Sequence, residues 1–293
     1  MSLLSRNRGG NLNKMDQDFY EEKNIKQLYF LHIPKTAGKY ISANIKKSLD
    51  ENNISHYIST HYPNNNNFAK KTYISIHAGT YPIDVVGSLD VATVIRNPVE
   101  ARLSYFNFIY NRALFSRSEY IERKSTLEKL RYYLFEDPNF ESHNNYQSRF
   151  ICNSADSRSF SPGDFYKAHE EMMRPFLKEG KAFDWFVGNE KTSKENALKA
   201  VKEFKIVNTL DNIDLFEKNI KQWFNDNYQI EVDFDKSNII NYGKFSYGDE
   251  KNITTEYLMS LISQEDVDLI IKNNSIDYFI YNFVKDNETN GIS

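Results

Sequence analysis

A chain of 293 residues, 40% hydrophobic and 15% aromatic, can fill a full core in one large domain or two small ones. Its net charge of −3 gives no surface built for a polyanion, so no nucleic-acid partner is expected and any anion site is local. The single cysteine, Cys152, excludes an internal disulfide framework and a cysteine-rich metal site, and reads as a small buried residue rather than a nucleophile. No apolar run approaches the ~18–20 residues of a membrane span. The first residues carry Arg6 and Arg8 without an apolar core. No secretory signal is read there, and a cytoplasmic protein is expected unless an anchor lies outside this chain.

Residues 1–26 are polar and charged and read as a flexible tail. Leu28–Ile33 is an apolar, β-prone run, read as a buried strand. Pro34–Gly38 is a tight turn, and from Lys39 onward Tyr40, Ile41 and Ile45 recur at helical spacing. A strand, a small-residue turn and a helix N-terminus make an anion cradle, because free amides and the positive end of the helix dipole meet there. Lys35 adds a charge. Ile54–Thr60 is a second strand, Pro63–Asn67 an exposed turn, and Thr72–His77 a third strand closed by Ala78–Gly79. Leu89–Ile95 is the clearest buried strand and runs into Arg96-Asn97-Pro98, where proline suits the start of a helix over Val99–Tyr110.

Helices are expected over Ser118–Leu134 and Asn144–Cys152, then a loop at 153–163 and a helix over Asp164–Glu179. A strand at Phe183–Val187, a helix at Lys191–Phe204 and a strand at Lys205–Asn208 follow, and Asp211 stands in capping range of a helix to Asp226. Residues 227–250 read as a long ordered loop. Helical runs over Thr255–Ile262 and Gln264–Val284 precede a flexible tail at 286–293. No repeat or linker divides residues 27–285. Strands alternating with helices argue for one α/β domain whose central sheet is mostly parallel and flanked by helices. In such sheets ligands lie at the C-terminal strand ends, where Lys35, His77 and Arg96 all fall.

The first loop departs from the nucleotide-binding pattern G-x-x-x-x-G-K-[ST] at two places. Ile33 stands where the first glycine belongs, and Tyr40 where a hydroxyl would hold Mg²⁺. Arg96 leaves a strand end and can fork onto a phosphate. Ser104, two turns along the next helix, falls on the same side as its start. Of the six histidines, His77 is best placed to act as a base near neutrality. His32, in the first strand, is read as orienting the loop. His56 and His61 flank an exposed turn, and His143 and His169 lie on expected helices.

At these residues the chain resembles a family. His32-Ile33-Pro34-Lys35-Thr36-Ala37-Gly38 looks like the 5′-phosphosulfate loop of carbohydrate sulfotransferases of the heparan and chondroitin type, and Arg96-Asn97-Pro98 through Ser104 like their 3′-phosphate motif. Asn145-Tyr146-Gln147-Ser148-Arg149 resembles the family's N-x-Q-[ST]-R element. Phe204–Phe216 and Asn274–Tyr281 resemble two later segments, so the likeness runs from about Gln27 to Val284.

The resemblance implies a sulfotransferase fold with a phosphate loop related to that of nucleotide-binding enzymes. It implies 3′-phosphoadenosine 5′-phosphosulfate (PAPS) as donor, no metal, and a glycan or other hydroxyl-bearing acceptor. Pro34, Lys35, Thr36, Ala37, Gly38, Lys39 and Tyr40 would hold the phosphosulfate, and Arg96 and Ser104 the 3′-phosphate. Arg149 and Lys244 would add donor contacts. His77 and Lys35 would be catalytic. The chain departs from the family at Lys39-Tyr40, where hydroxyl residues usually stand, and at Ala101, where the usual arginine is replaced and Arg102 follows. A nucleotide or small-molecule kinase, and a non-catalytic binding module of the same fold, are the alternatives.

Overall fold

The computed structural model describes residues 26–59, 71–77, 89–110, 120, 122–137, 144–152, 192–238 and 253–288. Five strands form one sheet: β1 (Leu28–Leu31), β2 (His56–Ile58), β3 (Tyr73–Ile76), β4 (Asp90–Ile95) and β5 (Ile206–Thr209). Their order is β2-β3-β1-β4-β5, and every pairing is parallel. The chain is therefore an α/β protein. Nine α-helices accompany the sheet among the described residues: α1 (Gly38–Glu51), α2 (Pro98–Tyr110), α3 (Thr126–Arg131), α4 (Tyr146–Cys152), α5 (Lys194–Glu203), α6 (Ile213–Tyr228), α7 (Thr255–Leu261), α8 (Gln264–Asn273) and α9 (Ser275–Asn287). None is long and apolar enough to cross a membrane.

All four residues of β1 are fully buried, because a central parallel strand is covered on both faces and so reads as a continuous apolar run. Its side chains alternate. Leu28 and Phe30 pack with Ile41 and Ile45 of α1 and Phe216 and Ile220 of α6. Tyr29 and Leu31 pack on the opposite face with Phe150 of α4, Val201 of α5 and Ile280 of α9. Each such burial stabilises by about 1.5–3 kcal/mol. A third cluster joins Val99, Leu103 and Phe106 of α2 to Leu130 of α3, Leu258 of α7 and Ile270 of α8. The chain lays β2 and β3 on one side of β1, then β4 and β5 on the other. The connections thus part at β1, and the C-terminal end of that strand is where sheets of this kind take their ligands.

Several local expectations differ from the structure. The helix expected over Ser118–Leu134 is interrupted: Tyr120 is helical, residues 122–125 are not, and a helix starts again at Thr126. Ser125 and Glu128 form a reciprocal capping box there, and Tyr132–Glu136 continues as a π-helical turn. The single run expected over Gln264–Val284 breaks at Asn274, whose side chain donates to the Ile270 carbonyl and accepts from the Asn145 amide. Asp211 caps no helix: a 3₁₀ turn at Leu210–Asn212 precedes α6, and the Asp211 carboxylate accepts from Tyr281 and Lys285. Helix α9 runs on to Asn287, past the point where a tail was expected, and Glu288 accepts from Thr209. The helix expected at Asp164–Glu179, the strand at Phe183–Val187, the turn at Pro63–Asn67 and the loop at 153–163 lie outside the described residues.

Two helices cap each other. The Asn145 side-chain oxygen accepts from the amides of Ile276 and Asp277 at the start of α9. Buried Asp277 accepts from the amides of Gln147 and Ser148 and from the Ser148 hydroxyl at 2.6–3.1 Å, at the start of α4. Burial pushes the Asp277 carboxyl above its ordinary value, while these donors and the charge of Arg149 pull the other way. Removing it strands buried donors, so Asp277→Ala is expected to cost about 2–4 kcal/mol in urea unfolding. Asn145→Ala should be non-additive with it, since both variants undock the same pair of helices.

Candidate functional site

Strands β3, β1 and β4 are neighbours, so their C-terminal ends set three groups side by side: His77 after β3, the loop 32–38 after β1, and Arg96 after β4. The loop turns through Lys35 at φ 70° and Ala37 at φ 62°, a left-handed backbone that non-glycine residues seldom adopt. Local and distant bonds hold it there. Buried Thr36 donates its hydroxyl to the Ile33 carbonyl at 2.9 Å. Tyr146 donates to the Pro34 carbonyl at 3.1 Å, and the Arg96 guanidinium to the Lys35 carbonyl at 3.3 Å. Ala37 is the N-cap of α1 and offers no side-chain acceptor to its first amides.

Arg96 is held as closely. Its amide donates to the Gln147 side-chain oxygen at 2.9 Å, and the Gln147 amide group returns a bond to the Arg96 carbonyl at 2.8 Å. Its Nε donates to Glu100 at 3.2 Å. Two further carboxylates feel its charge. Burial raises the Asp211 carboxyl, but bonds from Tyr281 and Lys285 and the charges of Lys285 and Arg96 leave it below its ordinary value. Glu256 on α7 is drawn down first by its own amide and the Thr254 hydroxyl, with the Arg96 charge adding to them.

The remaining expected residues fall in different places. Pro34 and Lys35 are half-buried, and the Lys35 ammonium lies 4.8 Å from the centre of the Phe108 ring on α2. Lys39 is exposed. Tyr40 is in the core, its hydroxyl donating to Glu217 of α6 at 2.7 Å, so its ring packs between helices and does not line the loop. Ser104 is buried on α2. Arg102 is also buried, its guanidinium 4.8 Å from the Tyr133 ring centre and its Nη1 without a hydrogen-bond partner among the described residues. Arg149 is half-buried on α4 beside Asp277. Lys244 and the histidines His61, His143 and His169 lie outside the described residues. Burial pushes the Cys152 thiol up to about 11, which suits an inert packed residue. No group of three or more metal-ligating side chains occurs among the described residues.

The roles of Tyr146 and Gln147 are ones that sequence reasoning missed. Arg149 is the charged member of their element, but the uncharged Tyr146 and Gln147 are the ones that reach both loops. The available signal was the polar pair Gln147-Ser148, both buried in a short helix whose remaining residues besides Arg149 are apolar.

His32 links the loop to His77. Its ring stacks on the His77 ring with centroids 3.9 Å apart, and the His32 carbonyl lies 2.7 Å from His77 Nδ1. A Cβ on Gly38 would stand 2.0 Å from His32 Cδ2 and Nε2, so only glycine fits at that position. No protein-family model matches the chain, and no curated protein does.

Gly38→Ala forces backbone or ring to move and is expected to cost about 1–3 kcal/mol by thermal or urea unfolding. Burial holds the His32 imidazole well below the ordinary histidine value, and the charges of His77 and Lys39 add to this. A base depressed in the folded state binds less proton folded than unfolded. Stability should therefore fall as pH drops below about 6.5, by about 1.4 kcal/mol per pH unit, until the folded value is reached. Urea unfolding between pH 7.5 and 5, scales set by that window, should show His32→Phe shedding this part of the acid limb.

Proposed function

We propose that this protein is a sulfotransferase that moves a sulfuryl group from PAPS to a hydroxyl, on a carbohydrate or another hydroxyl-bearing acceptor. The observation that carries this is the strand order β3-β1-β4, which sets a histidine, a tight loop at a helix N-terminus and an arginine at one end of the sheet. The α/β sheet with parallel strands is compatible with the sulfotransferase fold, and the loop 34–38 would serve as its phosphosulfate loop.

The residues divide the work by charge. The amides opening α1 and the Lys35 ammonium would hold the 5′-phosphosulfate and offset the charge that grows on the leaving phosphate oxygen. Lys35 would leave its place over Phe108 to do so. Arg96, with Ser104 on the following helix, would hold the 3′-phosphate, the anion exchanging with Glu100 at the guanidinium. The acceptor oxygen attacks sulfur, the bond from sulfur to the bridging phosphate oxygen breaks, and adenosine 3′,5′-bisphosphate leaves. The acceptor's proton passes to His77. Catalysis by placement and fixed charge follows the same logic as phosphoryl transfer.

Tyr40 argues against the kinase alternative. A nucleotide loop of that class places a Mg²⁺-binding hydroxyl there, and here the phenol donates to Glu217 in the core.

Lys35→Ala and Arg96→Ala are each expected to weaken adenosine 3′,5′-bisphosphate about tenfold or more by calorimetry, the range for a hydrogen bond to a charged group. His77→Ala should keep that affinity and lose about 100-fold or more in sulfate transfer measured over a glycan panel. Unchanged affinity in both cation variants would move the donor elsewhere. Full turnover without His77 would remove it as the base.

A further inference from the structure

We propose that His32 is a positioning residue for His77. Its carbonyl oxygen holds His77 in the Nδ1–H tautomer, and its ring, wedged between Gly38 and His77, fixes the plane of the His77 imidazole. Nε2 is then the nitrogen that receives the acceptor's proton. This last step rests on the sulfuryl transfer proposed above; the tautomer and the ring position do not.

The chemistry of the 2.7 Å contact decides the tautomer. A carbonyl oxygen only accepts, so Nδ1 must carry the hydrogen, and a neutral imidazole protonated at Nδ1 has its lone pair on Nε2. The donor–acceptor distance is short for an N–H···O bond, which favours one ring orientation.

Packing then restricts that orientation. On one side the His32 ring lies 3.9 Å from the His77 ring at an interplanar angle of 37°. On the other it fills the space where a Gly38 side chain would stand. Phe30 closes a further side, at 5.7 Å between ring centroids. His32 is 5% exposed, so its ring has little room to turn.

Gly38 opens α1, and the same loop would bind the donor. A shift of the loop on donor binding is thus transmitted through one ring to the base. The His32 imidazole also stays neutral as its neighbour gains a proton, since burial, His77 and Lys39 of α1 all oppose a second positive charge there.

The test uses the full-length ¹⁵N-labelled chain and long-range ¹H–¹⁵N spectra of the histidine rings, on the basic side of the His77 titration, with His77→Gln for assignment. His77 is expected to show a protonated Nδ1 and an unprotonated Nε2. His32→Gln keeps the carbonyl but removes the ring at similar volume, so it should loosen the His77 Nδ1–H bond, let an Nε2–H form appear beside the Nδ1–H form and lower kcat about 100-fold, with the donor KM within about twofold, the range for a misplaced catalytic group. His32→Phe restores an aromatic wedge and should recover the Nδ1–H form and most of kcat.

An Nε2–H form in the wild type overturns the proposal, with or without measurable transfer. Unchanged His77 signals in His32→Gln overturn the role of the ring. A wild type that shows the expected tautomer but transfers no sulfate overturns the function and leaves the positioning of His77 standing.

Discussion

Buried Asp277 and its counterpart Asn145 set the geometry on which the site depends. Each supplies the acceptor that the other's helix lacks at its N-terminus. A helix as short as α4 does not hold itself together in water, because its few internal bonds do not offset the cost of nucleation. Docked on α9 through this exchange, it becomes a rigid arm. Tyr146 and Gln147 at the start of that arm then reach the Pro34 carbonyl and both backbone groups of Arg96. A constraint between two residues far apart in sequence thus fixes two loops that belong to neither helix.

That support matters because the loop is not relaxed. Lys35 and Ala37 both take left-handed backbone, at a cost of about 1–2 kcal/mol each. A chain would leave such a conformation unless its surroundings over-determined it. Thr36, Tyr146 and Arg96 each engage a loop carbonyl, and His32 fills the space beside Gly38. Three loop carbonyls are therefore hydrogen-bonded while the helix start has no side-chain cap. The same neighbourhood is not uniformly basic: Glu100, Asp211 and Glu256 share the charge of Arg96.

The strands were readable because a parallel sheet buries both faces and leaves an apolar signature. Leu28–Leu31, Tyr73–Ile76 and Asp90–Ile95 all fall within runs expected to be strands. Helix ends were less legible where a side chain from elsewhere sets them. Ser125 and Glu128 start a helix by local capping inside the run expected to be one helix from Ser118, whereas Asn274 breaks its helix in company with Asn145, and Asp211 turned from a local cap to Tyr281 and Lys285 on α9. Position 40 shows the same limit. Its identity excluded the serine or threonine hydroxyl of a nucleotide loop, but only packing sent the phenol to Glu217 and away from the donor contact expected of it.

Sequence alone determined the α/β class and the runs from which the five described strands are drawn, though not where each strand ends, because hydrophobic period and turn chemistry are local properties. It also singled out Lys35, His77 and Arg96 as chemically capable groups. Tertiary structure decided which of these meet, since neighbourhood follows from the strand order and not from spacing along the chain. It placed Arg102 and Tyr40 in the core, gave Tyr146 and Gln147 their hold on the loops, and set the His32 ring between Gly38 and His77. Each of these is a contact between segments far apart in sequence, and such contacts exist only once the sheet has brought the strand ends together.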